Sequence, residues 1–269
     1  MLALAAYLVA SLACVSKGRL RLLWASLTVF ISYTILFICT GRMGYIAYAL
    51  VMLIWFFEYF NRRYALILSA AFIFGLALSY TVNPMMKFLV KQVKDDWASY
   101  HQSAPASKNT SLGLRLQYHK YAQQLFSEKP WLGYGTGEFS AHFAKDKPIK
   151  DWEQEVIWEP HSQYWLLAAE FGTFGISLFV GFVLSLIWEV RKQSRHIKYA
   201  MLALLAPFVM GCCTDSLLLY SSTGYFFLLF AALILGAGIK SSSTLYSQAG
   251  EAGELMHALL PAMAGKTQT

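Results

Sequence analysis

Residues 161–191, HSQYWLLAAEFGTFGISLFVGFVLSLIWEVR, decide the fold class. From Ser162 to Trp188 the one charged residue is Glu170. About 20 apolar residues cross a bilayer as a helix, and a helix lying on a soluble core would keep a charged face. This stretch keeps none, so 162–188 is predicted to span a membrane. Outward from it, residues 1–15, 22–39, 43–57, 64–82, 199–220 and 224–239 are likewise almost free of charge. Segments 43–57 and 224–239 are short, and cross only with aromatic flanks or local bilayer thinning.

These segments predict an all-α, polytopic membrane protein of about seven transmembrane helices. Helices one to four fall in 1–82, a large periplasmic loop subdomain in 83–160, and helices five to seven in 161–239. A Ser-, Ala- and Gly-rich cytoplasmic tail fills 240–269. The first segment has no basic residue before it and SKGRLR after it, the reverse of a secretory signal. It reads as the end of an inward-running span, with further spans expected upstream. Composition agrees: 57% of the 269 residues are hydrophobic and 14% charged, against about 25% charged in soluble domains.

Orientation follows from the basic loops. Lys17, Arg19 and Arg21, then Arg62 and Arg63, then Arg191, Lys192, Arg195 and Lys198 each follow every second span. All three groups therefore fall on one side, the cytoplasmic one, and 83–160 lies outside. The net charge of +7 reflects this topology. No basic stripe tracks a phosphate backbone, so no nucleic-acid partner is expected. Cys14, Cys39, Cys212 and Cys213 lie in or beside apolar segments and form neither a disulfide framework nor a zinc spacing.

The insertion holds Trp97, Trp131, Trp152 and Trp158, which are expected to pack a small subdomain on the membrane surface. Within it Leu114, Tyr118, Tyr121, Ala122 and Leu125 recur at helical spacing and predict a helix over 111–127. KNTSLG supplies its capping residues, and Pro130 follows its end. Arg115 and His119, four apart, share a face. WLGYGTGEF then brings Gly133, Gly135 and Gly137, which read first as a turn and second as a backbone cradle for phosphate. His142 and Asp146 could ligate a metal from one helix, but no further ligand is in view, so neither metal nor cofactor is expected.

Pro160 suits the first turn of a helix, which sets His161 near the N-terminus of span 162–188. The partial positive charge there disfavours the imidazolium, and a neutral imidazole can accept a proton as a general base. The alternative is a surface histidine bonded among lipid headgroups. Arg42, in CTGRMGY, and Arg115 lie on the same outer side. Arginine offers a permanent charge and a planar fork for phosphate oxygens. Two arginines and a neutral histidine at one bilayer surface suit a lipid pyrophosphate and an attacking hydroxyl.

At three places, TGRMGYIAYAL, SLGLRLQYHKYAQQLFSEKPWLGYGTGEF and EPHSQYWLLAAEFGTFGI, the chain resembles the O-antigen ligase and polymerase superfamily of bacterial envelope glycosyltransferases. The elements occur in the family order over about 40–180. The resemblance implies a metal-independent transfer of a glycan (O-antigen) from undecaprenyl pyrophosphate to an acceptor hydroxyl, most directly lipid A–core, at the periplasmic face of the inner membrane. By position it implies that Arg42 and Arg115 bind the pyrophosphate and that His161 activates or positions the acceptor. Asp215, in CCTDSLLLY, resembles an acidic residue of a late span and takes a supporting role, as do His119 and Gly135. Ser162 replaces the usual Asn, Gly41 a common Ser, and His119 a frequent Trp.

This fits the residue-level chemistry. Pyrophosphate is already a good leaving group, so the protein must stabilise its charge and orient the hydroxyl. No nucleotide-sugar site is required and no D-x-D metal motif is present. A repeat-unit polymerase or a protein O-oligosaccharyltransferase would keep the fold and change the acceptor. A polysaccharide transporter would concentrate polar residues and helix breaks at mid-span, whereas here they gather at one face, with Asp215 the main exception.

Overall fold

The computed structural model of the chain describes residues 1–101, 108–149 and 157–238; Trp152 and the tail at 240–269 lie outside the described residues. Among the described residues the chain is helical, with no strand. The helices are α1 (Leu2–Val15), α2 (Gly18–Tyr33, prolonged by a π-wound turn, Thr34–Ile38), α3 (Arg42–Tyr59), α4 (Arg62–Val82) and α5 (Pro84–Tyr100). After these come α6 (Ser111–Glu128), α7 (Glu138–Asp146), α8 (Gln163–Val190), α9 (Arg195–Gly211) and α10 (Ser221–Gly238).

Gly18–Ile38, α4, α8 and α10 are long and apolar enough to cross a membrane, and α1 is a shorter apolar helix. The other two expected spans are the helices α3 and α9, which pack against each other. With α1 they bury Leu4, Tyr7, Val51, Met201 and Leu204 in one apolar core that also takes in Phe179 of α8 and Phe227 of α10. By contrast α2 buries no residue and α4 only Ala65 and Ser69, so these two turn most of their surface outward.

The two ends of the bundle differ. At one end Tyr7 donates to Glu58 (2.5 Å), His196 Nδ1 meets the same carboxylate at 2.7 Å, and Arg195 donates to the Phe57 carbonyl. These contacts bring the basic loop that opens with Arg62 beside the one at 191–198. Arg42, Arg115, His161 and Asp215 gather at the other end.

Two elements differ from expectation. Span 199–220 is a helix only from Arg195 to Gly211. Beyond it the apolar chain turns back on the start of α8: Gln163 N donates to the carbonyls of Cys212 (2.9 Å) and Asp215 (3.2 Å), and Leu218 N donates to the Gln163 side chain (2.9 Å). Asp215 therefore sits in a turn at the bundle end and not inside a span. The second difference is α5, a helix within the insertion. Asn83 caps it through its side-chain oxygen, Pro84 opens it, and Asn83 Nδ2 ties its start to the Leu36 carbonyl (2.7 Å).

Among the described residues, Trp97, Trp131 and Trp158 do not build the insertion's core. Trp97, Trp131 and Trp158 are 55%, 75% and 73% exposed, as suits indole rings at a membrane–water boundary. The core is instead Tyr118, Tyr121 and Leu125 of α6 with Phe139 and Phe143 of α7, closed by Leu166 and Ala169 of α8.

That docking breaks α8. Gly172 leaves helical geometry (φ 60°, ψ −154°), and the loop after α6 exchanges hydrogen bonds with the break. Thr173 N and Phe174 N donate to the carbonyls of Pro130 (2.7 Å) and Trp131 (3.2 Å). In return Tyr134 N and Gly135 N donate to the carbonyls of Ala169 (3.1 Å) and Glu170 (2.8 Å). Backbone groups freed by the kink thus find partners in the loop. Side chains are excluded there: a Cβ on Gly133 would lie 2.4 Å from the Glu170 carbonyl carbon, and one on Gly172 2.5 Å from that of Trp131.

Candidate functional site

Pro160 and His161 precede α8 rather than opening it. The helix begins at Gln163 with Ser162 as N-cap, its hydroxyl accepting from Trp165 N at 3.5 Å. His161 takes a left-handed backbone, φ 54°, which is uncommon for a residue other than glycine and gathers at functional sites. Its own N–H donates to Glu159 Oε2 at 3.0 Å.

The imidazole lies between two carboxylates. Nδ1 is 3.0 Å from Glu159 Oε1 and 3.4 Å from Asp215 Oδ1. Glu159 is buried, with its side chain 4% exposed, while Asp215 is 38% exposed. Tyr220 donates to Glu159 Oε1 at 2.8 Å. Hydrogen bonding to Asp215 and then to Glu159 raises the His161 pKa to about 9, outweighing burial and the nearby Arg115. Burial opposes ionisation of Glu159, yet the bonds it receives, from His161 first, bring its pKa down to about 2. These contacts favour the imidazolium form of His161 at neutral pH. Two carboxylates within hydrogen-bond reach thus favour the imidazolium, whereas the partial charge of a helix end favours the neutral ring.

α6 supplies the next residues. Thr110 caps it, Asp96 of α5 accepts from Leu112 N at 3.2 Å, and Gly113 lets the chain pass close to the Lys108 carbonyl. Arg115 and His119 both turn toward the site, as their spacing predicts. His119 Nε2 lies 3.3 Å from the His161 carbonyl, a partner that only accepts. Burial lowers the His119 pKa, which favours the neutral ring. The Tyr118 ring stacks beside His161, with centroids 5.9 Å apart.

A cavity of about 710 Å³ opens at this end of the bundle. Its polar wall carries Arg42, Gln92, Arg115, Thr214 and Asp215. Its apolar wall is formed by Leu4, Leu204, Phe208, Phe226 and Phe227 of α1, α9 and α10. Arg42, half-buried at the start of α3, donates to Gln92 Oε1 at 3.3 Å, which fixes the guanidinium plane. The structure thus brings Arg42, Arg115 and Asp215 into one cavity, and sets His161 behind Asp215 rather than on the wall.

Gly135 contributes differently from a phosphate cradle. Its amide is engaged by the Glu170 carbonyl, and Gly137 N donates to Glu170 Oε1 at 2.8 Å. The glycine turn is spent on holding α7 and α8 together. Asp146 accepts from Tyr121 at 2.6 Å and His142 faces Glu138 at 3.6 Å, so these two do not form a metal pair. Among the described residues, three ligand atoms that could hold a cation meet at Glu159, His161 and Asp215, all within 4.8 Å of one another. As they stand, those atoms are joined to each other and to Tyr220 by hydrogen bonds.

Glu159, Tyr220 and Gln92 were not singled out in the sequence. Glu159 had a signal, a carboxylate two residues before the histidine. Gln92 had one too: Asn83–Pro84 announces a helix on which Met85, Phe88, Leu89 and Gln92 share the cavity-facing side. Tyr220, distant in sequence, had none.

Residues 27–180 match the family described as O-antigen ligase, and this match covers more than half of the chain. The chain belongs to that family. Arg42, Arg115, His119, Gly135 and His161 fall inside the matched segment, while Asp215 falls outside it and joins the site through its contact with His161. No curated protein matches the chain.

Proposed function

We propose that this O-antigen ligase family member transfers a glycan from undecaprenyl pyrophosphate to a hydroxyl of lipid A–core, without a metal, at the periplasmic face of the inner membrane. In this reading 1–82 and 161–239 hold the spans, 83–160 is the periplasmic subdomain and 240–269 the cytoplasmic tail. The observation that carries it is the cavity, where two arginines and one carboxylate face a mostly apolar wall. That combination matches a pyrophosphate joined to a polyprenyl chain.

Arg42 and Arg115 grip the pyrophosphate and stabilise the charge that develops on it. The acceptor oxygen bonds to the anomeric carbon of the donor glycan. The bond from that carbon to the pyrophosphate oxygen breaks, and its electron pair stays with the pyrophosphate. The hydroxyl proton passes to Asp215, a role that carboxylates fill in other glycosyl transfers. In this reading His161, whose charged form its two carboxylates favour, does not take that proton. Its Nδ1 contact aims Asp215 at the acceptor, while Glu159, Tyr220 and His119 hold His161, and Gly135 secures the loop beside them.

Deletion of the gene tests this reading. The long O-antigen ladder should vanish from a lipopolysaccharide gel while glycan remains on the lipid carrier. A ladder reduced to single-repeat lipopolysaccharide would overturn the ligase reading in favour of a polymerase.

A further inference from the structure

A second cavity, of about 530 Å³, lies at the opposite end of the bundle from His161, between the last turn of α8 and the first turns of α9. Its floor is apolar, with Ile187 and Val190 on α8 and Leu202 and Leu205 on α9. Its rim carries two cations, Arg191 and Lys198. Both are exposed, and among the described residues neither lies within salt-bridge distance of a carboxylate. The Arg191 guanidinium stacks on the Trp188 ring at 3.7 Å, which holds its charge at the rim.

Polarity is graded along the helix axes. Lys198 and Leu205 are seven residues apart, about 10 Å along α9, so the apolar floor runs into the bundle beneath the charges. Both helices belong to the membrane-embedded part of the fold, which places the rim at the level of lipid headgroups. An amphiphile with one anionic head and an apolar chain meets every feature of this groove. A free phosphate would use only the rim, and an uncharged lipid only the floor.

We infer that the α8–α9 groove is a binding site for an anionic phospholipid of the leaflet opposite the Glu159–His161–Asp215 cluster, with its phosphate between Arg191 and Lys198 and an acyl chain over Leu202 and Leu205. Juxtamembrane cations attract anionic lipid, and the groove adds a fixed place for its chain. Such a lipid would tie α8, which carries the His161 segment at its far end, to α9.

The test uses the full chain in neutral detergent, with lipid retention read by native mass spectrometry. The probes are phosphatidylglycerol, phosphatidylcholine and glycerol phosphate. Phosphatidylglycerol should be retained about tenfold or more above phosphatidylcholine, as expected for two juxtamembrane charges, and glycerol phosphate should not be retained. Arg191→Gln with Lys198→Gln should remove the preference, and Lys192→Gln, a change outside the groove, should leave it. Leu202→Trp fills the floor and keeps both charges, so it should also abolish retention. Equal retention of the two lipids, an equal loss in Lys192→Gln, or full retention in Leu202→Trp would each overturn the site in favour of diffuse surface charge. Absence of bound lipid, with Trp188 fluorescence that changes when residues 240–269 are removed, would overturn it in favour of the chain's own tail.

Discussion

Tyr220 donates a 2.8 Å hydrogen bond to Glu159, 61 positions away, and so closes the turn after α9 over the segment that leads into α8. Through that bond the buried carboxylate beneath His161 is satisfied from a part of the chain outside the segment that matches the family. Removing the donor leaves a buried, charged acceptor short of a partner. Tyr220→Phe should lower the stability of the detergent-solubilised protein by about 1.5–3 kcal/mol, the range for a hydrogen bond to a charged group. Thermal unfolding checks this, and an unchanged midpoint would show that water replaces the hydroxyl without loss.

The pH dependence has a definite sign. The folded-state pKa of His161 is raised from 6.5 to about 9. Its contribution to stability is therefore complete below 6.5 and is lost as pH rises through about 9. Glu159 is lowered from 4.5 to about 2, so its contribution is complete above 4.5 and is lost as pH falls through about 2. Transfer should hold across neutral pH and decline toward pH 9 as the imidazolium is lost. Glu159→Gln removes one of the two groups that keep the ring charged, and should move that decline to lower pH. A wild-type rate that instead climbs toward pH 9 would mean that the neutral imidazole is the active form.

Gly172 sits in a backbone region that is essentially restricted to glycine, at a cost of about 1–3 kcal/mol for other residues, and its added Cβ would strike Trp131. Gly172→Ala should destabilise the protein by at least that amount and release the 129–137 loop. Limited proteolysis at Lys129 reports the release directly. Protection equal to wild type would contradict the reciprocal hydrogen bonding between loop and kink.

The proposed orientation can be read by labelling. With the native cysteines replaced, a cysteine at Ser127 should react with an impermeant thiol reagent in intact spheroplasts, and one at Ser194 should not. The reverse pattern would put the Arg42–Arg115 cavity on the cytoplasmic side and remove the proposed donor from it.

Hydropathy made the membrane helices legible, because each lipid-facing helix must be apolar along its whole length. It also made 199–220 misleading, since Leu217 and Leu218 are apolar for packing in a turn against the bundle and not for crossing lipid. The helix over 111–127 was legible from the spacing of Tyr118, Tyr121 and Leu125, which the structure buries together. Arg42 and Arg115 were expected together at one surface, but Asp215 joining them in one cavity was not legible, since it depends on how α3, α6 and the turn after α9 pack. The pair of carboxylates that favours the charged form of His161 was hidden for the same reason. Glu159 lies two residues from it, but Asp215 lies 54 away and its contact is purely tertiary.

The central claim is that the Arg42–Arg115–Asp215 cavity holds a lipid pyrophosphate donor and passes the acceptor proton to Asp215. The direct measurement is donor retention and transfer rate on the same purified Asp215→Asn protein, beside Arg42→Lys and Arg115→Lys. Asp215→Asn keeps the side chain's shape and removes its basicity. It should retain the undecaprenyl-pyrophosphate-linked glycan while transfer falls about 10²–10⁴-fold, the usual loss for a general base. The two lysine variants keep the charge and lose the planar fork, and should lose donor retention together with transfer. Near-normal transfer by Asp215→Asn, or wild-type donor retention by both lysine variants, would contradict the account.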